Sequence, residues 1–422
     1  MKFENTLAFA RQLDKQDTLK SFRKLFHIPK VNGKDAIYLC GNSLGLQPKS
    51  VQKHIQQELT DWANLGVEGH LHAKHPWLSY HKLFTRSLAK LVGAKPHEVV
   101  AMNQLTVNLN LLLVSFYQPK GKRNKILIQG NEFPSDYYAF EQQVKFHGLD
   151  PEECIIEVMP REGEYTLRTE DIVLKIKQHR DELALVMFSA VNYYTGQFFE
   201  VKKIGEACCK YKITFGLDLA HAIGNVPLKL HEWNVDFATW CSYKYLNSGP
   251  GGVSGVFIHE HHADSFSLPR FAGWWGNEEK TRFKMEKHFV PQRGAEGWQL
   301  SNAPILSMAA HKASLEIFDQ VSIRDLRRKS ELLTGYLDFL LASNTKGEFT
   351  HYRVITPANK AHRGCQLSIQ TSHNGKNIFD KIVKCGVIAD WREPDVIRIA
   401  PVPLYNSFED VYRFAQILAN SC

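Results

Sequence analysis

The chain has 422 residues, too many for one ordinary hydrophobic core, so it reads as a large domain followed by a smaller one. Its 44% hydrophobic and 23% charged residues are a globular balance, and no apolar run approaches the length of a membrane-spanning helix. The formal charge of +8 comes from lysines and arginines spread along the chain, which favours anionic small ligands over nucleic acid.

The opening residues, Met1-Lys2-Phe3-Glu4-Asn5, are polar and lack the apolar core of a signal peptide. Eight cysteines without Cys-x-x-Cys spacing make neither a disulfide framework nor a zinc knuckle. Adjacent Cys208 and Cys209 are badly placed to bridge. Together these features predict a reduced, cytoplasmic protein.

Met102-Asn103-Gln104-Leu105-Thr106-Val107-Asn108-Leu109 reads as a helix start. Its free N–H groups and the Thr106 hydroxyl suit a phosphate, although, taken alone, an ordinary helix capped by Asn103 or Thr106 is the preferred reading. Strands are then predicted at Lys125–Ile128, Cys154–Val158, Leu183–Phe188, Ile213–Leu217, Phe237–Trp240 and Gly255–Ile258, with helices at Tyr137–His147, Thr169–His179 and Val201–Tyr211 between them. Continuous rather than alternating hydrophobicity in the strands predicts a mainly parallel sheet covered on both faces. Ligands gather at the carboxyl ends of such strands, where Ser189, Asp218 and Lys244 fall. Phe133-Pro134-Ser135-Asp136-Tyr137 and Tyr193-Tyr194-Thr195-Gly196 follow two of these ends. Phe133 can stack on a flat ring there, and a plain loop-to-helix junction capped by Ser135 or Asp136 is the equal competitor.

After residue 300 the pattern becomes α+β. Helices are predicted at Leu306–Phe318 and Ile323–Leu341, strands at Gly364–Ile369 and Asp395–Ala400, and a last helix at Ser407–Ala419. Trp274-Trp275-Gly276 and Ser301-Asn302-Ala303-Pro304 are loops without a core role. Arg398 closes a strand and can take a carboxylate as a bidentate pair, or make an interdomain salt bridge. Gly69-His70-Leu71-His72 with His75, and His259-Glu260-His261-His262, have a metal-like composition; the second reads as a solvated turn after a strand, and no metal is expected at either.

Lys244 is the unusual choice. A lysine ending an apolar run must find a partner, lose its charge or become a covalent imine. An aspartate ending a neighbouring strand, Asp218, lies where it can meet a pyridinium nitrogen, the arrangement that pyridoxal phosphate chemistry needs. On spacing alone, a salt bridge remains the stronger reading.

Six segments then match one family. Tyr38-Leu39-Cys40-Gly41-Asn42-Ser43-Leu44-Gly45-Leu46-Gln47-Pro48, Leu105-Thr106-Val107-Asn108-Leu109, Phe133-Pro134-Ser135-Asp136, Asp218-Leu219-Ala220-His221, Cys241-Ser242-Tyr243-Lys244-Tyr245-Leu246-Asn247 and Ala400-Pro401-Val402-Pro403-Leu404-Tyr405-Asn406-Ser407 closely resemble kynureninase, in order and from about residue 35 to the C-terminus. Lys284–Gly297 departs from the family pattern.

The resemblance implies an aspartate-aminotransferase-like fold: a large α/β domain at 46–310, a smaller α+β domain at 311–422 and an arm at 1–45 packing with the latter. It implies a cytoplasmic homodimer with shared active sites, no nucleic-acid or membrane partner, and pyridoxal 5'-phosphate as cofactor. The implied reaction is hydrolytic cleavage of L-kynurenine or 3-hydroxy-L-kynurenine to anthranilate or 3-hydroxyanthranilate plus L-alanine, in tryptophan breakdown or NAD synthesis. Lys244 would hold the cofactor and move the α-proton, and Asp218 would bind the pyridine nitrogen, with His221 and Asp136 near it. Leu105, Thr106 and Tyr243 would hold the phosphate, with Trp274 and Asn302 of the partner subunit. Phe133 would stack on the ring and Ser189 would contribute from its strand end. Tyr243 would also be the acid/base, while Arg398 and Ser43 would bind substrate. His70 and Asn302 go with preference for the 3-hydroxy substrate. A cysteine desulfurase or a small-amino-acid aminotransferase of the same fold is the competing enzyme, but a desulfurase needs a nucleophilic cysteine on a mobile loop, and none of the eight is so placed. A binding protein that kept the fold without catalysis is the other alternative, and intact Lys244, Asp218 and Tyr243 argue against it.

Overall fold

The Val-, Ile- and Leu-rich runs in the middle of the chain have no polar face to offer water, so they stack into one sheet that helices cover on both sides. The computed structural model describes residues 2–344, 352–372 and 374–421; the remaining residues, which fall within the expected arm and small domain, lie outside the described residues. In chain order the elements used below are α1 (Leu7–Gln16), β1 (Val99–Ala101), α2 (Leu105–Phe116), β2 (Lys125–Gln129), α3 (Pro134–Phe146), β3 (Ile155–Val158), α4 (Thr169–Gln178), β4 (Leu183–Ser189), α5 (Val201–Tyr211), β5 (Thr214–Asp218), β6 (Phe237–Trp240) and β7 (Gly255–Ile258). They are followed by α6 (Ile305–Phe318), α7 (Ile323–Asn344), β8 (Tyr352–Val354), β9 (Leu367–Thr371), β10 (Asp390–Arg392), β11 (Val396–Ile399) and α8 (Phe408–Ser421).

The large sheet has the order β1-β7-β6-β5-β4-β2-β3. Its five central and outer strands from β6 to β3 pair in parallel. β7 differs from the parallel expectation: it is antiparallel to both β6 and β1. The segment joining β6 to β7 is taken up by the Lys244 loop and the glycine turn, and holds no helix to carry the chain back across the sheet. Two antiparallel pairings restore the direction, so β1 runs with β6 and delivers the start of α2 to the common carboxyl edge. The short strand β1 gave no periodic signal of its own.

A second sheet, β8-β9-β11-β10, is antiparallel throughout. It is closed by α7, α8 and the N-terminal arm, where Phe3 packs on Tyr336 and Phe339 and Ile37–Tyr38 pairs in parallel with Val387–Ile388. The border expected at 310/311 falls inside α6, whose Met308, Leu315 and Phe318 join the core of the large sheet. Along α7 the buried residues pass from that core at Leu326 to the small sheet's core at Leu333.

A buried ion pair fixes this junction. Lys329 on α7 meets Asp17, just past α1, at 2.7 Å with both side chains under a tenth exposed, and its Nζ also donates to the Pro403 carbonyl at 2.7 Å. Removing one partner strands a buried charge, so Asp17→Ala is expected to lower stability by about 3 kcal/mol in urea denaturation, whereas Asp17→Leu combined with Lys329→Met recovers most of the loss.

Candidate active site

The carboxyl edge of the large sheet encloses a cavity of about 260 Å³. Its floor is set by strand register. Ser189 is the last residue of β4, Asp218 the last of β5, and the two are direct partners; Asp218 also pairs with Thr239 of β6, from which the chain runs on to Lys244. Lys244 is half-buried, and its Nζ lies 3.0 Å from Nε2 of buried His221 and 5.9 Å from the centre of the Phe133 ring. Desolvation, followed by the Lys244, Arg398 and Arg392 charges, holds the His221 pKa well below its ordinary value, so the ring is neutral.

Three carboxyl groups crowd the far side. Burial, then the charges of Asp218 and Glu132, raise Asp136 well above the usual carboxylate range, so it stays protonated. Burial also raises Asp218, while Lys244, the Ala220 N–H at 2.7 Å and Asp136 pull it back. Glu132 is pushed to about 7 by burial, against hydrogen bonds from the Phe133 N–H and Gln129. Glu132 is a residue the sequence reading missed; its signal was a carboxylate directly before the Phe-Pro turn.

Opposite this cluster, α2 begins at Leu105. Its cap residue Gln104 makes no side-chain hydrogen bond to the helix, while Asn103 turns its amide onto Asn108 instead. Neither Asn103 nor Thr106 caps the helix, so the first-turn N–H groups are open to an anion. Thr106 Oγ1 and Ser135 Oγ are 2.8 Å apart at the same rim.

The small sheet supplies the fourth wall. Arg398 of β11 is 1% exposed; it donates to the Tyr193 carbonyl at 2.7 Å and to Asp390, and its Nε has no partner. Arg392 and Asn42 also line the cavity, and neither was anticipated. The Ser43 segment reaches the site through a close approach. The Gly45 N–H donates to the Tyr243 carbonyl at 2.8 Å, and a Cβ there would fall 2.2 Å from the Lys244 carbonyl. Burial, then the neighbouring Cys241, raises the Tyr243 phenol above its ordinary pKa, so it remains a proton donor at neutral pH.

Of the residues singled out in the sequence, Ser43, Leu105, Thr106, Phe133, Asp136, Ser189, Asp218, His221, Tyr243, Lys244 and Arg398 line this one cavity. His70, Trp274 and Asn302 do not. His70 is half-buried edge-on against Trp77, 5.5 Å between ring centres. Trp274 is 52% exposed and Asn302 is exposed.

The residues present fit pyridoxal phosphate. An uncapped helix start, the Lys244 ammonium and the Phe133 ring line the same cavity. The buried carboxyl cluster would gain a cationic ring N–H as partner, and Nδ1 of His221 and Oδ1 of Asp136 are buried without a hydrogen-bond partner.

Residues 326–418 match the family model for the kynureninase C-terminal domain. The chain is 56% identical over 419 residues to the kynureninase of Flavobacterium psychrophilum, covering 99% of this chain and 98% of that protein. It is 49% identical over 430 residues to the kynureninase of Nematostella vectensis, covering 97% and 92%. Among solved structures it resembles C-DES carrying glycine covalently linked to its PLP cofactor, with a TM-score of 0.76 at 15% identity over 91% of this chain and 96% of that one. The cysteine desulfurase of Thermococcus onnurineus gives 0.74 at 18%, over 91% and 94%. These two likenesses show the fold, an aspartate-aminotransferase-like α/β architecture.

Glu132 generates a pH-dependent cost. Between the ordinary carboxylate range and pH 7 the unfolded chain has released a proton that the folded protein keeps, so stability falls as pH rises through that window. The cofactor-free protein is expected to lose roughly 2 kcal/mol from this group between pH 5 and 8. Glu132→Gln is expected to flatten the decline in urea midpoints measured across that range.

Proposed function

The chain belongs to the kynureninase family, and from that premise we propose how its own residues carry out hydrolytic carbon–carbon cleavage of a kynurenine. It is an enzyme, a hydrolase acting on carbon–carbon bonds in ketonic substances, and its cofactor is pyridoxal phosphate. The observation that carries the residue assignment is the 3.0 Å approach of Lys244 to neutral His221 in the lining of a cavity that also holds Asp218.

Bound there, the cofactor supplies an electron-withdrawing ring to the substrate α-carbon. The start of α2, Thr106 and Tyr243 would hold its phosphate, Phe133 would stack on its ring, and Asp218, with Asp136 beside it, would take the ring nitrogen. Ser189 supports this carboxyl cluster through Gln129, which donates to its hydroxyl at 3.1 Å. Arg398 holds the substrate carboxylate, and Ser43 borders it. Lys244 Nζ would remove the α-proton and hold it for a later transfer. Neutral His221 accepts from Lys244 rather than competing with it as a cation. Water adds to the side-chain ketone; when the Cβ–Cγ bond breaks its electron pair stays with Cβ, which is protonated to give the methyl group of alanine. The Tyr243 phenol would move protons at the former carbonyl oxygen, left in the carboxyl group of the aromatic product.

The finer readings belong to the same proposal. The exposed indole of Trp274 and exposed Asn302 suit a site completed by a second copy, as a homodimer. His70 and Asn302 would then read a ring hydroxyl, making 3-hydroxykynurenine the favoured substrate, in tryptophan breakdown or NAD synthesis. We place the enzyme in the cytoplasm because the seven described cysteines are free thiols, which suits a reducing compartment. We also keep an arm, a large domain and a small domain, with the border moved from 310/311 to α7 by the change of core along that helix.

Incubation with 3-hydroxykynurenine is expected to yield 3-hydroxyanthranilate and alanine in equal amounts, and kcat/KM is expected to favour it over kynurenine; the reverse ratio overturns the specificity reading alone. Purified enzyme should absorb near about 420 nm as an imine does, and Lys244→Ala should be colourless. Arg398→Lys should raise KM roughly tenfold or more, because the bidentate fork is lost.

A further inference from the structure

The sequence reads His259-Glu260-His261-His262 as a solvated turn, but the fold gives it a partner. Asp236 stands just before β6, and its Oδ1 lies 2.9 Å from Nε2 of His261 and 2.8 Å from Nε2 of His262. The two Nε2 atoms are themselves 2.9 Å apart. Three donor atoms therefore form a nearly equilateral triangle at the edge of the large sheet opposite Asp218.

If both Nε2 atoms carry hydrogen, Asp236 Oδ1 accepts both, but the two N–H groups are then crowded together across the 2.9 Å between the nitrogens. If one does not, its lone pair faces a carboxylate oxygen at hydrogen-bond distance. A dication above the triangle removes both conflicts. A face edge of about 2.9 Å is that of an octahedron with bonds of about 2.05 Å, whereas a tetrahedral set needs about 3.3 Å.

A hydrogen bond and ring packing hold the three side chains in place. The other carboxylate oxygen of Asp236 accepts the Phe215 N–H at 2.7 Å. The His262 ring packs edge-on against Phe116 at 5.1 Å, and His261 lies against His259 at 4.1 Å. A cavity of about 340 Å³ opens beside Asp236 and His261, with Cys209, Lys212 and Asn234 on its wall, leaving room for further ligands. The neighbouring trio Glu98, His231 and His259 makes the contrast. Glu98 already accepts from His231, the Lys95 N–H and the Glu260 N–H, and His259 Nδ1 accepts from the His261 N–H. Its lone pairs are committed.

We propose that Asp236, His261 and His262 form a facial site for a six-coordinate divalent transition-metal ion, a clamp between the start of β6 and the turn after β7, separate from the catalytic cavity. The test uses tag-free, chelator-stripped holoenzyme titrated with Co²⁺ and followed by calorimetry, visible absorption and thermal unfolding. One equivalent should bind per chain, with the weak absorption of six-coordinate Co²⁺ and a rise in Tm. His261→Gln, nearly half exposed at the side chain, and His262→Gln should each lose at least tenfold in affinity and the Tm response while keeping catalytic activity. His231→Gln should bind as wild type. Absence of a saturable site, undiminished affinity in both the His261 and His262 variants, loss in the His231 variant instead, or intense tetrahedral Co²⁺ absorption would each overturn the proposal.

Discussion

Everything at the cavity depends on the lateral register of three parallel strands. Pairing Ser189 with Asp218, and Asp218 with Thr239, brings three chain segments to one edge at the same height. A one-residue slip would turn Asp218 to the opposite face of the sheet. The register is held by burial on both faces: Leu217, Ala238 and Phe188 are essentially inaccessible to water, so no polar alternative competes. Asp218 can thus be kept in a place where a carboxylate is costly, because the apolar strand carrying it cannot move.

The same rigidity explains the carboxyl cluster. Burial is the first cause that raises Glu132, Asp136 and Asp218; the neighbouring carboxylates raise Glu132 and Asp136 further, while Lys244 and the Asp136 hydrogen bond pull Asp218 back. Such a group is a strain reservoir in the free protein. A cationic partner relieves it, which couples cofactor affinity to the stability of the loop between β2 and α3. Arg398 shows the opposite logic on the facing wall. Burial lowers its pKa, Asp390 restores it, and an incoming carboxylate completes what Asp390 begins.

Much of this was legible in the chain. Asp218, Ser189 and Lys244 fall at strand ends that continuous hydrophobicity marks, and α2 was visible from its polar opening. What escaped detection depends on pairing between distant segments. The three-residue strand β1 is defined by its partner β7, not by its own pattern. Arg392 reaches the cavity because β10 pairs with β11, and Asn42 because Gly45 lets the arm pass against the Lys244 loop. The triangle at Asp236 escaped for the same reason: a histidine turn carries no chemistry until the strand beside it supplies an oxygen.

His70, Trp274 and Asn302 pose a different problem. They match family positions, yet a single chain keeps them off the cavity. Trp274 donates its indole N–H to the Arg282 carbonyl and packs edge-on with Phe283, so it is held in place while half its surface stays exposed. An aromatic ring fixed by its own loop but uncovered has already lost its rotamer freedom, and covering it therefore costs little further entropy. This is the property expected of a residue that acts across a subunit boundary. The strand ends that form the cavity floor belong to one sheet, and the residues proposed above to read the substrate's ring lie apart from it. Chemistry and specificity are separable in such an arrangement, since changes at His70 or Asn302 leave the register of β4, β5 and β6 untouched.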